Sequence, residues 1–145
     1  MRPPEEVRKR IVNDWLDRAN ADIALAEHLL SEEAGFQNAI AFHCQQAAEK
    51  YLKALLTWWG TEFPKTHELA RLIKLIETHD PELAASMFGV TVLTPYGVEL
   101  RYPGDRPDVS QDEAREAAKL ARQIRDSVLP LLPVSGDETT GRFRS

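Results

Sequence analysis

The sequence predicts an all-α fold: an up-and-down bundle of four to five helices, with a long N-terminal helical hairpin and a long C-terminal helix. Two observations predict it. Apolar residues recur at steps of three and four over three long segments, which is the period of a helix buried on one side. Glycine and proline are absent within these segments and cluster between them. At 145 residues, one domain is expected, which we place at residues 5–132, with a disordered tail at residues 133–145.

The first predicted helix runs from Glu5 to about Ser31, and Pro3-Pro4 lies where a helix can begin. Gly35 separates it from the second helix. Its apolar row consists of Val7, Ile11, Trp15, Ala19, Ile23, Ala26 and Leu30.

The second predicted helix runs from Phe36 to about Trp59 and is the most apolar segment, with Gly60 as its stop. One row consists of Phe36, Ile40, Cys44, Ala47, Tyr51, Ala54 and Trp58. Four further apolar residues lie well off this row at about 100° per residue: Phe42, Leu52, Leu56 and Trp59. Because such a group is too apolar to face solvent, we expect a homodimer built partly on this helix.

The rest of the chain contains three more predicted helices and one long loop. Thr66 is the expected N-cap of a helix that carries Leu69, Leu72, Ile73 and Ile76. A short helix follows from Pro81 to about Met87. Residues 88–109 are rich in glycine and proline and are expected to form an irregular loop, too long to be a simple connector. Ser110 and Glu113 form a predicted capping box for the last helix.

Composition places the chain among soluble globular proteins. With 18 Lys and Arg against 23 Asp and Glu, the net charge is −5, which argues against binding duplex nucleic acid as the main task. No apolar run approaches the roughly 18 residues of a membrane span, and the N-terminus lacks the apolar region of a signal peptide. We expect a cytoplasmic protein without a membrane segment.

A polar strip on the second helix is the first candidate site. His43, Gln46, Lys50 and Lys53 are spaced by three and four, so they share one side, and Glu49 can pair with Lys53. The lysines could bind phosphate while the imidazole and amide form hydrogen bonds. The alternative is a solvated or interfacial surface with local ion pairs.

The long loop supplies the second candidate, Arg101 with Tyr102. Arginine binds phosphate in a fork, and tyrosine stacks on a base. Alternatively, the two residues anchor the loop to the bundle. We hypothesise that any ligand binds where this loop meets the second helix.

Other chemistry lacks its usual sequence signals. There is no HExxH or CxxC motif, and adjacent His43 and Cys44 point about 100° apart on a helix, so no metal site or cofactor is expected. Nor is there a GxSxG, Walker or GxGxxG motif. Cys44 lies in the apolar row and is interpreted as a core residue rather than a nucleophile.

The chain resembles the HEPN domain family over roughly residues 10–130. The resemblance is carried by Trp15, Ala19, Asp22 and Ala26, by residues 38–43, by the block QQAAEKYLKALL (residues 45–56), by KTHEL (residues 65–69), and by Arg101-Tyr102-Pro103 before an alanine-rich helix. It implies a helical bundle that commonly dimerises and a nucleotide-binding role. It also implies a minimal nucleotidyltransferase partner in a toxin–antitoxin-like system.

Some HEPN domains are metal-independent ribonucleases, with an Arg and a His separated by four to six residues. Here Arg71 and His79 have seven residues between them, and Arg18 and His28 have nine. We therefore assign no catalytic residue and expect a non-catalytic module that binds a nucleotide, RNA or a nucleotidyltransferase. The alternatives are a ribonuclease toxin with a displaced site using Arg101, His43 and Lys50, and a scaffold without a ligand.

Overall fold

A computed structural model describes residues 3–32, 35–98 and 108–133, and every regular element in these ranges is helical. The elements are α1 (Glu5–Leu30), α2 (Gln37–Trp59), α3 (Leu69–Glu77), α4 (Pro81–Met87), a 3₁₀ segment (Phe88–Gly97), α5 (Gln111–Val128) and a 3₁₀ turn (Leu129–Leu131). This confirms the all-α bundle with its long hairpin. Within the described part, no helix combines the length and apolarity needed to cross a bilayer. The expected tail, beyond Pro133, lies outside the described residues.

Helix α2 is the central element of the bundle. Helix α1 packs along one side of it, and α3, α5 and the 3₁₀ segment cover the others. The predicted row is buried from Ile40 to Ala54, but Leu52 and Leu56 are also 0% exposed. Because helices of the same chain cover these two leucines, they give no reason to expect a second copy. The homodimer itself stays a prediction.

The predicted apolar row of α1 is wrong in its first half. The buried residues are Val12, Leu16, Ala19, Ile23 and Ala26, whereas Ile11 is 37% exposed. Two neighbouring rows of α1 are apolar, and the sequence period fits either of them. The rotation of α1 against α2 selects the row through Val12.

The start of α3 differs from the prediction. Its N-cap is Glu68 rather than Thr66, whose hydroxyl instead accepts a hydrogen bond from the Glu68 N–H at 3.1 Å. The free N–H of Leu69 donates to the Thr94 hydroxyl at 3.2 Å. The Thr94 side chain, 25 residues away, therefore satisfies an N–H group in the first turn of α3 that a local N-cap was expected to satisfy.

Half of the expected loop is regular. Residues Phe88–Gly97 form a 3₁₀ segment despite Gly89 and Pro95. Val90 and Leu93 are buried and Tyr96 is partly buried, so the apolar spacing here is three. That spacing matches the three residues per turn of a 3₁₀ helix, which a search for the 3.6-residue period misses.

Local signals at two helix ends are confirmed. Gly60 ends α2 with a positive φ of 73°, a conformation that a residue without Cβ adopts at little cost. Ser110 and Glu113 form the capping box that starts α5: the Ser110 hydroxyl accepts from the Glu113 N–H, and the Glu113 carboxylate accepts from the Ser110 N–H.

Candidate functional site

The predicted strip lies on one side of α2. At about 100° per residue, His43, Gln46, Lys50 and Lys53 fall within a sector of about 80°. Three of them are partly exposed, while Lys53 is buried. We call these four residues the α2 strip.

Asp22 of α1 holds two members of the α2 strip. Its Oδ1 lies 2.9 Å from His43 Nδ1, and its Oδ2 accepts from Lys50 Nζ at 2.6 Å. Asp22 precedes the buried Ile23, so it sits at the edge of the α1–α2 contact with its side chain only 13% exposed. Asp22 was not predicted as a site residue, although its position next to an apolar residue of the first helix could have indicated that it lies at the edge of the core.

Glu49 organises a second, more buried group. Its carboxylate is 4% exposed and accepts from Lys53 Nζ at 2.7 Å and from Gln45 Nε2 at 3.3 Å, while His67 Nδ1 lies 3.0 Å away. Burial alone would raise the pKa of Glu49, but the hydrogen bonds from Lys53, His67 and Gln45 and the Lys53 charge outweigh it. The pKa of Glu49 therefore lies below its ordinary value, and the group is ionised at neutral pH. The predicted Glu49–Lys53 pair is confirmed.

Lys53 also lies between two aromatic rings. Its ammonium is 5.5 Å from the centroid of the Trp15 ring and 5.8 Å from that of Phe63. The two rings are 6.4 Å apart and join α1 to the segment that follows α2. Cation–π attraction to both rings adds to the ion pair with Glu49 in holding the Lys53 ammonium at this position.

A chain of hydrogen bonds fixes the orientation of two neighbouring amides. Gln45 Nε2 donates to Glu49 Oε1 and, at 3.1 Å, to the His67 carbonyl. Both partners are acceptors, so the Gln45 amide nitrogen must face them and its Oε1 must face the other way. That oxygen accepts from Gln46 Nε2 at 2.8 Å. Gln45 and His67 were not predicted as site residues, because their roles depend on elements far apart in the chain.

The described residues on both sides of residues 99–107 contact α2. Gly97 packs so closely on Gln45 that a Cβ at this position would lie 2.8 Å from the amide carbon, so a larger residue would displace the Gln45 side chain from its hydrogen bonds. On the C-terminal side, Asn38 of α2 donates a hydrogen bond to Asp108 Oδ1 at 3.2 Å and accepts one from the Val109 N–H at 2.9 Å. Asn38 and Gln45 are two turns apart on one side of α2, about 10 Å along the axis.

The two predicted loop residues, Arg101 and Tyr102, lie outside the described residues. They belong to the segment between Gly97 and Asp108, whose two anchors are both on α2. That this segment meets the second helix stays a prediction.

Nucleophilic and metal chemistry find no support in the described residues. Cys44 is fully buried, and burial raises the pKa of its thiol to about 12, which keeps it protonated at neutral pH. In the part of the chain that the structure covers, no three His, Cys, Asp or Glu residues are grouped to hold a metal ion.

Comparison with known proteins identifies the family. No curated protein matches the chain at a significant level. The crystal structure of TT1696 from Thermus thermophilus is similar, with a TM-score of 0.65 and 28% sequence identity over 83% of this chain and 98% of that chain. The family model of the HEPN domain matches residues 12–131, which is most of the sequence. The chain therefore belongs to the HEPN domain family.

Proposed function

We propose that this HEPN domain is a non-catalytic module that binds a nucleotide on the α2 strip. The observation that carries the proposal is that the polar groups of the α2 strip and the two ends of the neighbouring segment lie on one helix. Partly exposed imidazole, amide and ammonium groups share one side of α2, and both anchors of the segment containing Arg101 and Tyr102 lie on the same helix. The nucleotide-binding role recorded in the family's name supports the same conclusion.

The chemistry of the strip and the segment is complementary. A nucleotide needs cations for its phosphates and a flat or amide-bearing group for its base. Lys50 keeps 20% of its side chain exposed, although Asp22 offsets its charge. Arg101 would supply a second cation, and Tyr102 the stacking surface.

Nucleotide binding is tested first by thermal shift with ATP, GTP, CTP and UTP at several concentrations. A ligand at a hundred times its Kd stabilises the folded state by about 2.7 kcal/mol, a shift that is readily measured. Absence of a shift with all four nucleotides would contradict the proposal.

Two lysine variants then locate the site by titration calorimetry. Lys50→Ala should weaken binding about tenfold or more, because a hydrogen bond to a charged group is lost. The control is Lys119→Ala on the exposed side of α5, which should bind like the wild type. Equal weakening in both variants would indicate a general charge effect rather than a site.

We also propose that the module acts as a homodimer with a minimal nucleotidyltransferase partner, as the family membership suggests. Light scattering at tens of micromolar should give twice the mass of the chain. A monomer at that concentration would contradict the dimer. Co-purification with the product of a neighbouring nucleotidyltransferase gene would test the second partner.

A ribonuclease with a displaced site is the second candidate, and one observation favours it. Asp22 orients the His43 ring through Nδ1, which is how carboxylates position a histidine that transfers protons. Lys50 or Arg101 would stabilise the phosphate charge. RNA cleavage that is present in the wild type and lost in His43→Ala would establish this function in place of the non-catalytic one.

A further inference from the structure

Two neighbouring side chains of the α2 strip each have an acceptor atom to which no described residue donates, and the hydrogen-bond network explains both. Glu49 and the His67 carbonyl turn the Gln45 amide, so Gln45 Oε1 must be met by the Gln46 amide nitrogen. Gln46 Nε2 keeps a second N–H, and Gln46 Oε1 is an acceptor to which no described residue donates.

In its neutral form, His43 also presents an acceptor, and its contact with Asp22 decides which ring nitrogen that is. The carboxylate of Asp22 only accepts hydrogen bonds, so a neutral His43 places its proton on Nδ1. Nε2 then carries a lone pair, and no described residue donates to it. His43 and Gln46 are three residues apart and are therefore neighbours on the helix surface.

Both lysines of the α2 strip already pair with a carboxylate. Lys50 pairs with Asp22 at 2.6 Å and Lys53 with Glu49 at 2.7 Å, so two positive charges face two negative ones. With a neutral His43 the local charge sums to zero. These four ion-paired groups add no net charge to the strip, although the Lys50 ammonium has three N–H donors and only one described acceptor, Asp22 Oδ2, so it can still donate to a ligand phosphate.

We propose that His43 Nε2 and Gln46 Oε1 recognise the exocyclic amino group of a nucleobase, so that the site selects amino-bearing bases. This inference rests on the proposed nucleotide binding and names the part of the nucleotide to which the α2 strip forms hydrogen bonds. An amino group brings two N–H donors to two acceptors. An analogue without it leaves both acceptors desolvated and unpaired, which is how a polar site discriminates against a ligand that lacks a donor.

Matched nucleotide pairs test the proposal by calorimetry on the full chain. ATP and purine riboside triphosphate differ only in the exocyclic amino group, as do GTP and ITP. The wild type should bind the amino-bearing member of at least one pair about tenfold more tightly, the loss expected for about one hydrogen bond. Binding of both members within twofold in each pair would overturn this inference and leave the proposed function standing. Absence of binding by all four nucleotides would overturn both.

Two variants assign the preference to the named atoms. Gln46→Lys can still donate to Gln45 Oε1 but has no acceptor, and it adds a cation. The two members of each nucleotide pair should then bind with nearly equal affinity. If the strip binds phosphate instead, the added cation should make every nucleotide bind more tightly. His43→Phe keeps the ring and removes its nitrogens, so it should also lose the selection. Unchanged selection in either variant, at a melting temperature close to that of wild type, would refute the assignment.

Discussion

Replacing Glu49 by glutamine tests the buried charge network directly. In Glu49→Gln, the Lys53 ammonium loses its carboxylate partner at a side chain only 8% exposed. Removing one partner of a buried ion pair costs about 3–5 kcal/mol. The amide oxygen of the introduced glutamine can still accept a hydrogen bond from Lys53, which offsets about 1 kcal/mol. We therefore expect a loss of about 2–4 kcal/mol.

The loss is measured by urea unfolding at neutral pH, supported by thermal melting. For a chain of this size, 1 kcal/mol corresponds to about 2–4 °C, so the melting temperature should fall by roughly 5–15 °C. Glu116→Gln, on the exposed side of α5, is the matched control and should change stability by less than about 0.5 kcal/mol.

A double variant separates an unpaired charge from a loss of packing. Glu49→Leu combined with Lys53→Met removes both charges at similar volume and should recover most of the loss, because an apolar pair replaces a buried ion pair at little cost. The reasoning is refuted if Glu49→Gln loses less than about 1 kcal/mol, or if the double variant is no more stable than the single one.

Three further outcomes follow from the described contacts. The pKa of Glu49 is lowered by folding, so its stabilisation is present above the ordinary value of 4.5 and is lost as the pH falls from there through the lower folded value. The stability difference between wild type and Glu49→Gln should therefore shrink in acid, and a constant difference would contradict this. Leu56→Ala should lose about 2–5 kcal/mol with an unchanged sedimentation coefficient, since Leu56 is buried inside the chain. Altered association without lost stability would contradict its burial. Cys44, with its pKa raised to about 12, should react with iodoacetamide far more slowly in the folded protein than in urea at mildly alkaline pH, and equal rates would show that the thiol is accessible.

Features that depend on neighbouring residues could be predicted from the sequence. The long helices follow from the apolar period, the start of α5 from the Ser110–Glu113 spacing, and the end of α2 from Gly60. The Glu49–Lys53 pair lies one helical turn apart, so its geometry is set within a single helix. The family resemblance is likewise a property of short motifs along the chain.

The tertiary structure decided what depends on how the helices rotate and meet. The sequence allowed two apolar rows on α1, and packing against α2 chose the one through Val12. Asp22 reaches His43 across 21 residues and Lys50 across 28, and His67 reaches Glu49 across 18. Neither the spacing nor the charge of these residues predicts the contacts, because each requires two elements to be placed within hydrogen-bond distance. The α2 strip could be located from the sequence, but only the fold determined that its lysines are paired and that no described residue donates to Gln46 Oε1.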